Sequence, residues 1–506
     1  MGTLIRNARV LTLDNQLSEF ERADILIRGS KIESIGPDLV IPENEPNLRI
    51  INATGKLAMP GLVNAHVHTP GNFVRGSLDN LPLEIFMLYE VPPLSDKPPD
   101  YRTNYVRTML GTMEMLKLGI TSVQDDAFYV PVPSPEAIDG LMQSYTDSGM
   151  RCVATLDQPN VVEYEKYPYL YDLLPQNIRE GMENAPIMQT KELLELYQYL
   201  LEKWHNTSNG RVRAGASIST PHRVKVDYFA ALSELSKEYD IPLNMHILET
   251  KLQRVFGEIK YGKSLVRYAN DLGFLDERVV VIHAIWVDDY DVELMAAAGC
   301  SVAHNPVCNL RLGSGVMTFR RHTNAGINIC LGSDEACTDD THNMWIVGKV
   351  AGLIHSITDP EYQNWPKAQE ILWCLTRGGS RAMRMEDQVG VLAPGYEADL
   401  ILIDLNTLNF TPLNDIYRQL VYCETGSSVM MTMVAGEVVY QDGKLLTVDE
   451  EAIKDEAREI MKSYRQDMKK TWDLAQKLAP YYREMYQRCA KMDVGMNRWV
   501  QNKPAN

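Results

Sequence analysis

Hydrophobic and polar positions follow two different rhythms along this chain. Residues 3 to about 57 carry short period-two segments at 4–13, 23–28, 31–35 and 50–53, separated by turn residues such as Gly29-Ser30 and Gly36-Pro37. Alternation bounded by such residues predicts β-strands. The same texture returns at 398–404, 429–434 and 437–441, and Asp442-Gly443 marks a hairpin turn into 444–448. Between the ends, short apolar runs at 63–68, 121–125, 151–156, 212–217, 243–246, 279–283, 301–304 and 328–332 alternate with helix-period stretches such as 105–118 and 193–204. Eight strand-then-helix units predict an α/β architecture, a (β/α)8 TIM-like barrel over 58–387. The two β-rich ends are expected to join as one small β-sandwich domain, 1–57 with 388–448. Residues 449–506 are expected to form a C-terminal helical extension, rich in Glu, Lys and Met, that covers the barrel or a partner subunit.

Composition narrows the picture. A chain of 506 residues is long for one compact core, in keeping with a large domain plus a smaller one. The formal net charge of -17 speaks against nucleic acid or an anionic membrane surface as a partner, since both call for a basic face. No run of eighteen apolar residues is present and the N-terminus lacks a signal-peptide layout, so a cytoplasmic location is expected. Eight cysteines stand singly with no Cys-x-x-Cys pair, which excludes a zinc ribbon and a thioredoxin-like site and does not resemble a disulfide framework.

The strand ends carry the candidate chemistry. His66 and His68 are two residues apart on one strand, so both imidazoles project to the same side. His246 closes the run 242–246, with Glu249 three residues on; His283 closes 279–283; Asp334 follows 329–333. A lone histidine or aspartate at a strand end is more often merely hydrogen-bonded, but four such ends together point to a site at the C-terminal face of a barrel. Three histidines and one carboxylate can hold a divalent ion and leave a position for water, whose pKa such an ion lowers to about 7. In this arrangement Asp334 is both ligand and proton acceptor, Glu249 a proton shuttle, and His283 a polarising group.

These residues are embedded in motifs that resemble the amidohydrolase superfamily, in particular its deaminase and chlorohydrolase branch of triazine hydrolases and adenosine-derivative deaminases. The likeness runs from Ile5-Arg6-Asn7-Ala8 to Gly436-Glu437. It rests on Pro60-Gly61-Leu62-Val63-Asn64-Ala65-His66-Val67-His68, Asp79-Asn80-Leu81-Pro82-Leu83, His246-Ile247-Leu248-Glu249-Thr250, His304-Asn305-Pro306 with Asn309, Gly313-Ser314-Gly315, and Gly332-Ser333-Asp334. The resemblance implies metal ligands His66, His68, His246 and Asp334, with Glu249, His283 and Asp334 catalytic. It also implies one ion, zinc or alternatively iron, because the strand 212–217 ends without the bridging lysine of two-metal relatives and Lys225 lies beyond it. His222, in Thr220-Pro221-His222, matches a substrate-contacting histidine of the family. Asn305 is a further candidate for substrate binding.

Departures bear on the substrate. Ser95 falls where nucleoside-deaminating relatives place a ribose-binding glutamate, which favours a bare heteroaromatic ring or a xenobiotic over a ribosyl compound. Arg223 and Glu335 stand where relatives have small residues and are candidate pocket residues. The expected activity is hydrolytic deamination of a ring C–N bond in a small molecule. The alternatives are dechlorination, amide or urea cleavage, and a catalytically silent scaffold, which would be expected to have lost ligands that this chain keeps. A homo-oligomer is expected from the C-terminal helices and the family's habits.

Overall fold

In the computed structural model, which describes residues 2–40, 48–94, 98 and 100–500, parallel strands fill the middle of the chain. They make two five-stranded sheets. One runs in the order Ala216–Ser217, Leu243–Ile247, Val279–His283, Ser301–His304 and Asn328–Leu331. The other runs Asp334–Glu335, Leu62–His68, Ile120–Phe128, Arg151–Asp157 and Val212–Ala214. The chain itself links the two sheets at both edges: Gly215 alone separates Val212–Ala214 from Ala216–Ser217, and Gly332-Ser333 separates Asn328–Leu331 from Asp334–Glu335. Every residue of Leu62–His68, Ile120–Phe128 and Val279–His283 is buried, as expected of strands covered on both faces. Because all pairings are parallel, the strand ends that carry His68, His246 and His283 emerge on one side.

The connecting helices are set by ordinary caps. Asp100 accepts the Thr103 N–H at the start of Tyr101–Lys117, and Ser134 accepts the Ala137 N–H at the start of Pro135–Ser148, which stops at Gly149 with φ of 81°. Asp288 and Asp291 form a reciprocal capping box on Asp289–Ala298. The apolar faces of these helices and the strands share one large core that includes Leu62, Val123, Leu156, Met245, Val281 and Ile329.

Both chain ends enter a single nine-stranded sheet. Its order is Lys444–Leu445, Glu437–Gln441, Val429–Val434, Leu400–Asp404, Lys56–Pro60, Gly2–Leu11, Glu19–Arg28 and Lys31–Gly36, with Leu48–Asn52 also paired to Gly2–Leu11. Lys56–Pro60 is therefore an end-sheet strand, and Gly61 passes the chain directly into Leu62–His68. This sheet has its own apolar cluster around Ile5, Val10, Ile25, Leu400 and Met433. A buried ion pair ties it to the parallel strands: Arg151 donates from Nε to Asp399 Oδ2 at 2.7 Å and from Nη2 to Asp399 Oδ1 at 2.9 Å.

The chain then forms one long helix, Glu450–Lys491. Ala475, Leu478, Tyr482 and Met485 pack on Leu88, Tyr167, Leu170, Leu252 and Val255, so the helix walls the side of the molecule that bears the strand-end residues. Among the described residues no helix is long and apolar enough to cross a membrane. All eight cysteines are free, and only Cys423 is exposed.

Candidate metal centre and active site

Five strand-end residues converge. His66, His68 and His246 place ring nitrogens within 4.8 Å of one another, and so do His66, His283 and Asp334 with their ring nitrogens and carboxylate oxygen. Asp334 Oδ1 lies 3.6 Å from Nε2 of both His66 and His68, and His246 Nε2 is 3.3 Å from His68 Nε2. Local backbone geometry aims these groups. Ser219, Leu248, His283, Ala284 and Asp334 all adopt positive φ, uncommon for residues with a side chain and concentrated here at strand ends. Gly332 makes the convergence possible, because a Cβ there would sit 2.7 Å from the backbone oxygen and Cβ of His66 and 2.5 Å from Asn305 Oδ1.

Hydrogen bonds behind the rings set the tautomers. His68 donates from Nδ1 to the Asp126 carbonyl, and His246 from Nδ1 to the Ser219 carbonyl at 3.0 Å. With Nδ1 engaged in this way, each ring turns Nε2 to the centre, the nitrogen that is free to ligate a metal in the neutral imidazole. His66 is fully buried, and neither of its nitrogens has a hydrogen-bond partner among the described residues. A buried polar group left in that state is costly, so the residues present fit a bound cation. The electrostatics agree. Burial brings the His66 imidazole down to about 4, so it is neutral and free to ligate. Burial pushes the Asp334 carboxyl up, but His66, His283 and His68 overcome it and hold Asp334 well below the usual range, as a carboxylate.

Beside this set, His283 receives amide N–H donors from Asn309 at 2.9 Å and Asn305 at 3.3 Å on Nδ1. The ring proton is thereby left on Nε2, 3.5 Å from Glu249 Oε2 and 3.7 Å from Asp334 Oδ2. Glu249 is buried, its N–H is held by Gln253 Oε1 at 2.9 Å, and Ser314 donates to its Oε1 at 3.2 Å. Burial first, then the charges of Asp334 and Glu84, drives its carboxyl well above the ordinary value. A carboxyl raised in this way holds its proton more tightly and is suited to proton donation.

A cleft of about 130 Å³ opens over these groups, lined by His68, His246, Glu249, His283, Asp334 and, among others, Arg223 and Glu335. The other two proposed substrate residues lie elsewhere. Asn305 faces the back of His283 and is not among the lining residues. His222 is bonded through Nδ1 to Thr220 Oγ1 at 2.5 Å and packs on Phe256, also away from the lining. Ser95 lies outside the described residues. Gln253 and Ser314 were not singled out by sequence reading. Ser314 sits in the quoted Gly313-Ser314-Gly315 motif, but nothing local connects it to Glu249. Glu335 has its own buried neighbours, with Cys337 Sγ at 2.8 Å from Glu90 Oε1 and 3.4 Å from Glu335 Oε2.

Comparison with known proteins agrees with this geometry. Residues 57–439 match the model of the amidohydrolase family. The chain is 30% identical over 444 residues to a 5-methylthioadenosine/S-adenosylhomocysteine deaminase of Thermococcus kodakarensis, covering 87% of this chain and 94% of that protein. It is 29% identical to a 5'-deoxyadenosine deaminase of Methanocaldococcus jannaschii, covering 90% and 100%. Among solved structures, atrazine chlorohydrolase of Arthrobacter aurescens in complex with zinc superposes with a TM-score of 0.81 at 25% identity, covering 90% of this chain and 99% of the other. An adenosine deaminase of Xanthomonas campestris with bound zinc superposes at 0.79 and 22% identity, covering 92% and 98%, a likeness of fold. These likenesses imply a TIM-barrel fold, which the parallel strands fit. The chain belongs to the amidohydrolase family and is a metal-dependent hydrolase of carbon–nitrogen bonds other than peptide bonds.

Proposed function

We propose that this protein is an aminohydrolase that replaces an amino group on a heteroaromatic ring with oxygen and releases ammonia. The observation that carries the reading is the convergence of His66, His68, His246 and Asp334 beside a proton-retaining Glu249. The four converging residues are proposed to hold a single divalent ion, zinc in the first instance, which when bound lowers the pKa of a water to about 7. Asp334, held ionised, takes a proton from the attacking water. Glu249 gives its proton to the ring nitrogen next to the attacked carbon. His283, with its proton on Nε2, faces the oxygen that gains charge as the ring carbon becomes tetrahedral. Collapse breaks the C–N bond: the amine leaves with the proton taken up by Asp334, and the added hydroxyl returns its proton to Glu249 as it becomes the ring carbonyl. In sum, water and the ring amine give ammonia and the ring carbonyl.

The architecture is part of the proposal. The two five-stranded sheets are taken as halves of one closed (β/α)8 barrel, supported by the one- and two-residue links at their edges. Residues 1–57 and 388–448 are taken as a β-sandwich domain, 449–506 as an extension, and the working form as a cytoplasmic homo-oligomer.

The test is ammonia release by the zinc-loaded enzyme from purine, pterin, pyrimidine and triazine amines, together with 5'-deoxyadenosine and 5-methylthioadenosine. Ammonia from at least one amine is the expected result. Chloride from a chlorotriazine, with no ammonia from any amine, would transfer the assignment to the dechlorination reading that the chlorohydrolase neighbour favours.

A further inference from the structure

Arg223 is a charged side chain that the proposed chemistry leaves idle. It is 8% exposed, and it lines the same cleft as Glu249 and Asp334. Its backbone is fixed on both sides: its N–H donates to the Thr220 carbonyl at 2.9 Å, and its carbonyl accepts the Asn160 N–H at 3.1 Å. Its guanidinium, by contrast, has no hydrogen bond or ion pair among the described residues, and Nε is buried without a partner. The closest aromatic face, Tyr167, is 5.8 Å away. Nearby Glu163 is already engaged, by Lys166 at 2.7 Å and by the Tyr482 hydroxyl at 3.0 Å.

Burial pulls the Arg223 guanidinium down, but Tyr167 and the acidic Glu163 and Asp157 outweigh it and raise it; none of them accepts a hydrogen bond from it, so its fork is left for something entering the cleft. Its planar fork matches a carboxylate through two parallel N–H···O bonds. Asp334, held as a carboxylate, also lines the cleft, and its charge weighs more against a doubly charged phosphate than against a singly charged carboxylate. A free volume of about 130 Å³ falls below the roughly 300–1,000 Å³ of sites for drug-sized ligands, which limits the occupant to a small ring with a small substituent. We propose that Arg223 anchors a carboxylate on the substrate, so that the substrate class is an amino-substituted heteroaromatic acid. The inference rests on the aminohydrolase reading for the amine; the anchor itself is tested by binding.

The experiment is calorimetric titration of the zinc-loaded protein with nicotinate and with nicotinamide, a ring carboxylate and its neutral amide of similar shape. It is repeated on metal-stripped protein and on Arg223→Met and Arg223→Lys. The wild type is expected to prefer nicotinate by roughly tenfold or more, a charge-assisted bidentate contact. The preference should survive metal removal, vanish in Arg223→Met and persist in part in Arg223→Lys. Equal binding of the two probes to wild type, a preference unchanged in Arg223→Met, or one lost with the metal overturns the anchor. If Arg223→Met does not fold, the wild-type pair and Arg223→Lys still decide. A carboxylate preference that depends on Arg223, with no ammonia from any amine, would sink the aminohydrolase reading and leave the anchor standing.

Discussion

Two of the clusters of buried charge among the described residues are built on opposite principles. Where the end sheet meets the parallel strands, Arg151 and Asp399 satisfy each other: two bonds of 2.7 and 2.9 Å join them, and Asp399 Oδ1 also accepts the Ala435 N–H at 2.7 Å. At the strand ends, His66 keeps two unpartnered nitrogens while Asp334 stands 3.6 Å from two imidazoles. Both clusters are buried. One is complete within the protein, and the other is completed only by something added. Burial of charge therefore does not mark function; unfinished hydrogen bonding around convergent donors does. His304 shows that both conditions are needed. Its two nitrogens are also unpartnered, but its ring packs against His355 and it joins no convergent set of donors among the described residues.

The sharpest way to break this comparison is to remove a donor from the unfinished cluster. Asp334→Asn and His66→Ala should each abolish turnover and bring bound metal, measured by atomic emission on dialysed protein, far below one equivalent. Stoichiometric metal in both variants would refute the ligand set. Next in size is Glu249→Gln, expected to lower kcat by about 10²–10⁴-fold with metal content unchanged. A variant with wild-type kcat would remove Glu249 from proton transfer.

The complete cluster should respond in the opposite sense. Asp399→Ala strands a buried guanidinium and should cost about 3–5 kcal/mol in chemical denaturation, with activity per folded molecule preserved. An active-site defect without lost stability would erase the contrast. The buried histidines away from the centre add a pH test. Burial brings His322 and His355 from 6.5 to about 4, so the unfolded chain takes up their protons first. Stability present above about pH 6.5 should decline progressively toward pH 4, read as a falling Tm in metal-stripped protein; a flat Tm over that window contradicts it. The smallest effect is reserved for Ser314→Ala, which removes one hydrogen bond from Glu249 and should slow turnover about fivefold, or about 1 kcal/mol. No change in either kcat or the pH profile would relegate Ser314 to packing.

Much of the scaffold was legible in the residue pattern. The apolar runs at 63–68, 151–156 and 279–283 lie within the strands Leu62–His68, Arg151–Asp157 and Val279–His283, because burial on both faces leaves a short continuous signature. The strand Lys56–Pro60 was harder to read. Its apolar residues run straight into those of the next strand, and only its pairing with Gly2–Leu11 and Leu400–Asp404 shows which sheet it joins. At the site, the His66/His68 pair was visible because a two-residue spacing on a strand is a local fact. Asn305 and His222 stand outside the cleft lining, and their neighbours in sequence do not reveal that the amide of one turns toward His283 and the ring of the other toward Thr220.

The sequence by itself determined the types and spacings of the donors, their place at strand ends and the class of chemistry they serve, because periodicity and side-chain chemistry are local properties. Only the tertiary structure decided which nitrogen of each imidazole faces the centre, which carboxyl keeps its proton, and which charge is left without a partner. Those outcomes depend on the Asp126 and Ser219 carbonyls, on a serine 65 positions from Glu249, and on a C-terminal helix whose Tyr482 engages Glu163. Groups so distant along the chain meet only when packing brings their elements together, and burial then makes each missing or completed hydrogen bond count.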